Sequence, residues 1–132
     1  MEFDHAGIAT DDLDDLADLY DGLLDATLAH EEEFDGLRVA FLDLGNGHLE
    51  LLEPLEPLPG AEGAIPRYLD EHGPGIHHLA LRTDDIEAAL DTAREAGVDL
   101  VDEEPRPGAW GHHVAFLHPA TTGGVLVEFV EH

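Results

Sequence analysis

Cysteine and lysine are both absent from this 132-residue sequence, and basic residues of any kind are scarce. Without cysteine there is no disulfide framework, no thiolate metal ligand and no thiol nucleophile. The whole positive complement is Arg38, Arg67, Arg82, Arg94 and Arg106, set against 31 acidic residues, for a formal net charge of −26. A surface this poor in cations argues against nucleic acid, whose phosphates need a basic face. Also missing are an apolar run long enough to span a bilayer and a secretory leader pattern. A soluble, cytoplasmic protein with no membrane partner is therefore expected.

The acidic residues are spread through periodic apolar segments rather than massed at one end, which sets aside a disordered acidic tail. Such an excess fits a cytosolic protein of a salt-loving organism, where concentrated salt screens the repulsion. With 43% hydrophobic residues, the chain can bury a core as a single domain over 1–132.

Inside that domain the sequence says the same thing twice. Asp4-His5-Ala6-Gly7-Ile8-Ala9-Thr10-Asp11-Asp12-Leu13 overlays His77-His78-Leu79-Ala80-Leu81-Arg82-Thr83-Asp84-Asp85-Ile86, so that His5 meets His78. Val39-Ala40-Phe41-Leu42 is answered by Val114-Ala115-Phe116-Leu117, and Leu49-Glu50-Leu51-Leu52-Glu53 by Val127-Glu128-Phe129-Val130-Glu131. Two modules, 1–54 and 76–132, are thus joined by a connector, 55–75, rich in proline and glycine.

Each module reads as strand, helix, then three strands. In the first, a strand at 2–9 precedes a helix capped by Asp11 or Asp12, with Leu13, Leu16, Ala17, Tyr20, Leu23 and Leu24 at helical spacing. Strands at 27–33, 37–44 and 48–53 follow, with turn signals at Asp35-Gly36 and Gly45-Asn46-Gly47. A short helix is expected near 65–71 in the connector. In the second module the order is a strand at 77–81, a helix at 85–96 closed by Gly97, a short strand at 98–102, a loop at 103–111, and strands at 113–117 and 125–130. The fold class is α+β: two βαβββ modules forming a cupped mixed sheet, not a doubly wound parallel one.

Glu128 sits in Val127-Glu128-Phe129-Val130, a strand apolar on both faces, and Glu50 in Leu49-Glu50-Leu51-Leu52 is nearly the same. A carboxylate buried there is costly unless it is paired or bound to a metal, and five arginines are few for pairing. For one glutamate a solvated face is the plainer reading. Two glutamates and two histidines related by one internal repeat point instead to a metal site of His5, Glu50, His78 and Glu128. The register selects His78 over His77, which becomes a neighbouring or pocket-lining group. Two imidazoles and two carboxylates suit a divalent first-row ion such as Co2+, Mn2+, Ni2+ or Zn2+, with cis positions left for two substrate oxygens.

These strings, together with Gly45-Asn46-Gly47-His48-Leu49-Glu50-Leu51-Leu52-Glu53-Pro54, Gly75-Ile76-His77-His78 and Phe116-Leu117-His118-Pro119 followed by Gly123-Gly124-Val125-Leu126-Val127-Glu128, resemble the methylmalonyl-CoA epimerase family of the vicinal oxygen chelate (glyoxalase) superfamily. The resemblance implies an isomerase that moves the C2 proton of a CoA thioester through an enolate and inverts the centre. It implies Glu128 as both ligand and proton shuttle, and a second base in the run Glu31-Glu32-Glu33. Glu33 is favoured by spacing, with Glu31 and Glu32 left open. A homodimer acting on a small-molecule CoA thioester is the expected assembly. Arg106 is a candidate for the CoA phosphates, beside Arg38, Arg82 and backbone amides. His77, Trp110 and His112 are candidates to line the substrate pocket, although Trp110 reads equally well as a packing residue. The alternatives are a glyoxalase I-type isomerase and a non-catalytic small-molecule-binding member of the same superfamily.

Overall fold

A computed structural model of the chain describes residues 1–56 and 63–132; Pro57, Pro59 and Gly60 of the expected connector lie outside the described residues. The elements are β1 (Glu2–Ala9), α1 (Leu13–Leu24), β2 (Thr27–Phe34), β3 (Leu37–Asp43), β4 (His48–Pro54), α2 (Ala64–His72), β5 (Gly75–Arg82), α3 (Ile86–Glu95), β6 (Arg106–Pro107), β7 (His113–Leu117) and β8 (Val127–Glu131). The eight strands form one sheet in the order β2-β3-β4-β1-β5-β8-β7-β6. β5 and β8 run parallel, whereas β2–β3, β3–β4, β6–β7 and β7–β8 are antiparallel. The sheet is therefore mixed and the class α+β, with the β-α-β-β-β order appearing twice.

The chain divides into two compact units, Met1–His5 with His78–His132, and Ala6–His77. In the Ala6–His77 unit, Asp12 caps α1 by accepting a hydrogen bond from the Asp15 amide. Helical spacing then turns Leu13, Leu16, Ala17 and Tyr20 onto Ile8, Ala40, Leu42, Leu49 and Leu51. Leu23 and Leu24 stay exposed, so the buried stripe is shorter than the periodicity suggests. The β2–β3 hairpin turns through Asp35 (φ 51°) and Gly36 (φ 76°), and two successive positive φ values make the type I′ turn that Asp-Gly favours.

In the other unit, Asp85 caps α3 through the Ala88 amide, and Ile86, Ala89, Leu90 and Ala93 pack on Ala115, Leu117 and Phe129. Leu90 is 1% exposed, so its truncation to alanine costs about 2–5 kcal/mol. The expected strand at 98–102 is replaced by a single bridge, Leu100 to Leu117, and the strand β6 falls instead within the expected loop. Asp102 explains the change. Its Oδ2 accepts the Phe116 amide hydrogen at 2.9 Å, taking the place a ladder carbonyl would hold on β7.

Candidate metal centre

Three of the four expected ligands meet within one unit. β1 carries His5, β5 carries His78 and β8 carries Glu128, and their exposures are 4%, 5% and 6%. His5 Nε2 and His78 Nε2 lie 3.4 Å apart. Glu128 Oε1 is 3.2 Å from the first and 3.6 Å from the second. Glu128 reaches this position because β8 pairs in register with both neighbours, Ala80 of β5 and Phe116 of β7, and is buried along Glu128, Phe129 and Val130.

The triangle fits a cation. At a metal–ligand distance of about 2.1 Å, neighbouring ligand atoms stand about 3.0 Å apart in an octahedral shell and about 3.4 Å apart in a tetrahedral one. The three separations surround the tetrahedral value and lie somewhat above the octahedral one. Glu128 Oε1, moreover, is buried with no hydrogen-bond partner among the described residues, an arrangement that costs free energy unless something positive satisfies it. The donor set, two imidazoles and a carboxylate, suits a divalent first-row ion.

His5 is held from behind. Its Nδ1 lies 2.6 Å from Asp4 Oδ2, and His132 Nε2 lies 2.6 Å from Asp4 Oδ1. Burial works against the Asp4 charge, yet the hydrogen bond and electrostatic attraction of His5, joined by those of His132, hold its carboxyl below the usual range. His132 stacks on His112 at 3.8 Å and 12°, and His112 lies near-parallel to Trp110 at 5.8 Å. Burial, reinforced by His132, lowers the pKa of His112. Trp110 has φ 62°, a left-handed conformation that a bulky residue adopts only when its surroundings impose it.

The fourth expected ligand, Glu50, belongs to the Ala6–His77 unit. It is 6% exposed on β4, opposite Phe41 of β3. The same ladder decides among the three glutamates of β2. Residues paired across strands share a face, and faces alternate along each strand. His30 pairs with Phe41, and Phe41 with Glu50; Glu32 pairs with Val39, and Val39 with Leu52. Glu32 is therefore on the Glu50 face, half-buried, with its Oε2 2.6 Å from His30 Nε2. Glu31 pairs with Ala40, and Glu33 with Arg38, which puts both on the face that α1 covers. Glu33, the expected second base, is exposed there and points away from the Glu50 face. Spacing alone could not register this, because each step along a strand reverses the face.

The remaining candidates are accounted for separately. His77 is edge-on to Tyr68 at 5.2 Å, while the Tyr68 hydroxyl donates to the Ile76 carbonyl. Arg106 is exposed, donates to Asp102 Oδ1 at 3.1 Å and lies 5.5 Å over the Phe116 ring, whose edge meets His78. Arg38 pairs with both Asp14 and Glu31. Asp4, His30 and His132 were not anticipated. The signal for Asp4 was present, as a carboxylate directly before His5 in a strand whose later residues are all apolar; His132 carried none.

The family model described as Glyoxalase/Bleomycin resistance protein/Dioxygenase superfamily matches residues 4–116. An ethylmalonyl-CoA/methylmalonyl-CoA epimerase of Cereibacter sphaeroides is 40% identical over 128 residues, covering 94% of this chain and 92% of its own length. The crystal structure of methylmalonyl-CoA epimerase from Mycobacterium tuberculosis superposes with a TM-score of 0.90 at 39% identity, over 98% of this chain and 87% of that one. A further structure, a methylmalonyl-CoA epimerase in complex with methylmalonyl-CoA and NH4+, gives 0.88 at 36% identity, over 98% and 93%.

Proposed function

The chain belongs to the Glyoxalase/Bleomycin resistance protein/Dioxygenase superfamily, and from that footing we propose that it is a methylmalonyl-CoA epimerase, interconverting the R and S thioesters by moving the C2 proton. The observation that carries this reading is the buried triangle of His5, His78 and Glu128 with its unsatisfied carboxylate oxygen. The names of its relatives supply the substrate class.

In this reading His5, Glu50, His78 and Glu128 hold one divalent ion; all four are buried. When bound, the ion supplies Lewis-acid stabilisation to two neighbouring oxygens of the substrate. The protein's own groups must then handle the proton. Inversion needs one group to take it from one face of C2 and another to return one to the opposite face. Glu128 serves one face. Glu32 serves the other, since β2 turns it to the Glu50 side and His30 fixes its carboxylate. Glu33 is replaced in this role, and Glu31 is engaged by Arg38.

The test is hydrogen exchange at C2 of methylmalonyl-CoA in heavy water, with and without chelator. Solvent deuterium entering both isomers, and lost on chelation, is the expected result. Unlabelled substrate after long incubation of metal-loaded protein rejects the activity.

A further inference from the structure

We propose that Asp4 and His132 form a clasp that positions His5, with Asp4 fixing the ring's tautomer and angle and His132 holding Asp4. The proposal rests on the reading of His5 as a metal ligand. Asp4 is 8% exposed and its two oxygens face two imidazoles, each at 2.6 Å. A carboxylate only accepts, so both ring nitrogens donate to it. The proton on His5 Nδ1 then leaves Nε2 as the lone-pair nitrogen, and Nε2 is the atom 3.2 Å from Glu128 Oε1. A histidine backed by a carboxylate is aimed, and its other ring nitrogen is made more basic.

His132 is what distinguishes this arrangement from a simple pair. Asp4 and His5 are sequence neighbours on a strand, where side chains leave on opposite faces. A hydrogen bond between them requires the carboxylate to lean toward the ring. The second bond, from His132 Nε2, pins the other oxygen and so fixes that lean. His132 is pinned in turn by stacking on His112, behind which stands Trp110 in its left-handed conformation. The path from Trp110 to His5 thus runs through flat rings and one carboxylate, all groups with few rotatable bonds. It makes His132, which touches no ligand atom of the triangle, a positioning residue.

Two readouts test the clasp. The first uses metal-free protein labelled with 15N-histidine, whose long-range 1H–15N spectra report which ring nitrogen carries the proton. His5 is expected as the Nδ1–H form in wild type, and as a mixture in Asp4→Ala and His132→Ala. The second is Co2+ affinity followed by its visible absorption, with His78→Ala as the blank for weak binding to the acidic surface. Asp4→Ala and His132→Ala are each expected to weaken Co2+ binding by roughly 10- to 100-fold, the scale for groups that support a ligand. His132→Gln, which keeps an N–H near the place of Nε2, is expected to recover most of that loss. Melting curves of the metal-free variants identify any that fails to fold, and Asp4→Asn then stands in for Asp4→Ala. Unchanged His5 signals and Co2+ affinity in His132→Ala overturn the clasp, as does a His132→Gln no better than His132→Ala. A wild type that binds no Co2+ but shows the Asp4-dependent tautomer supports the clasp and removes the metal reading instead.

Discussion

Replacing Glu32 and Glu33 one at a time by glutamine separates the two faces of β2 by function. Glu32 is half-buried with its Oε2 2.6 Å from His30 Nε2; Glu33 is exposed, opposite Arg38, on the side covered by α1. Glutamine keeps the shape of either side chain and removes its ability to take a proton. In Glu32→Gln the hydrogen bond from His30 survives as a neutral one, so stability falls by about 1 kcal/mol, the difference between charged and neutral hydrogen bonds. The kinetic effect is larger. A lost general base costs roughly 10²- to 10⁴-fold, which is about 2.7 to 5.4 kcal/mol on the barrier. Epimerisation should therefore fall by orders of magnitude in a protein that still folds and still binds metal. Glu33→Gln should change stability by no more than about 0.5 kcal/mol and leave the rate alone. The assay is conversion of one pure isomer, followed beside C2 deuterium uptake. Uptake without conversion is the mark of a single surviving base on the Glu128 face. Normal conversion in Glu32→Gln, or its loss in Glu33→Gln, refutes the assignment by face.

Three further outcomes are expected. Saturating Co2+ at about 100 times its dissociation constant should stabilise wild type by about 2.7 kcal/mol, read as a rise in melting temperature that His78→Ala does not share. Raising KCl from dilute to multimolar should raise the melting temperature, because with 31 acids against five arginines the screened interactions are mostly repulsive; a flat or falling curve contradicts this. Arg38 holds the Asp14 carboxyl below its usual range through a hydrogen bond. A group so depressed adds stability that is present above its unfolded pKa of about 3.9 and is lost as pH falls through its folded value. Acid titration of Arg38→Gln by circular dichroism should consequently show a weaker loss in the window below about pH 4 than wild type does.

How much of this was written in the sequence depended on whether a signal was local or relational. The helices were legible because Asp12 and Asp85 announce their caps and the apolar positions follow the helical period. The paired glutamates were legible because an acid inside an apolar strand is a physical anomaly, and the internal repeat showed it twice. Leu23 and Leu24 keep the helical spacing yet are exposed, since periodicity records which side of a helix a residue faces but not how far the covering sheet extends. Choosing among Glu31, Glu32 and Glu33 likewise needs the β2–β3 register, which includes a shift between Leu28 and His30 that no spacing rule carries. His132 lies 128 positions from Asp4, and only the folded chain brings them together.

The repeat also shows where the two modules have parted. His5 and His78 are equivalent in the overlay, which makes Asp4 and His77 equivalent as well. Yet Asp4 is a buried carboxylate hydrogen-bonded to its histidine, while His77 turns its ring to Tyr68. His78 instead meets the edge of Phe116, on which Arg106 rests. One imidazole is therefore backed by a charge and the other bordered by an aromatic ring. A neighbouring carboxylate raises the basicity of the nitrogen it faces away from, whereas a ring edge only restricts rotation. The Asp4 carboxylate is thus a feature of the first module that the overlay does not repeat at His77. It follows that exchanging their settings, with Asp4→His alone or with His77→Asp alone, should not be equivalent: the first removes the carboxylate bonded to His5 Nδ1 and should weaken Co2+ binding, while the second leaves the His5 clasp intact and should weaken it far less. Equal losses from the two would mean that the repeat, and not its divergence, governs the ligands.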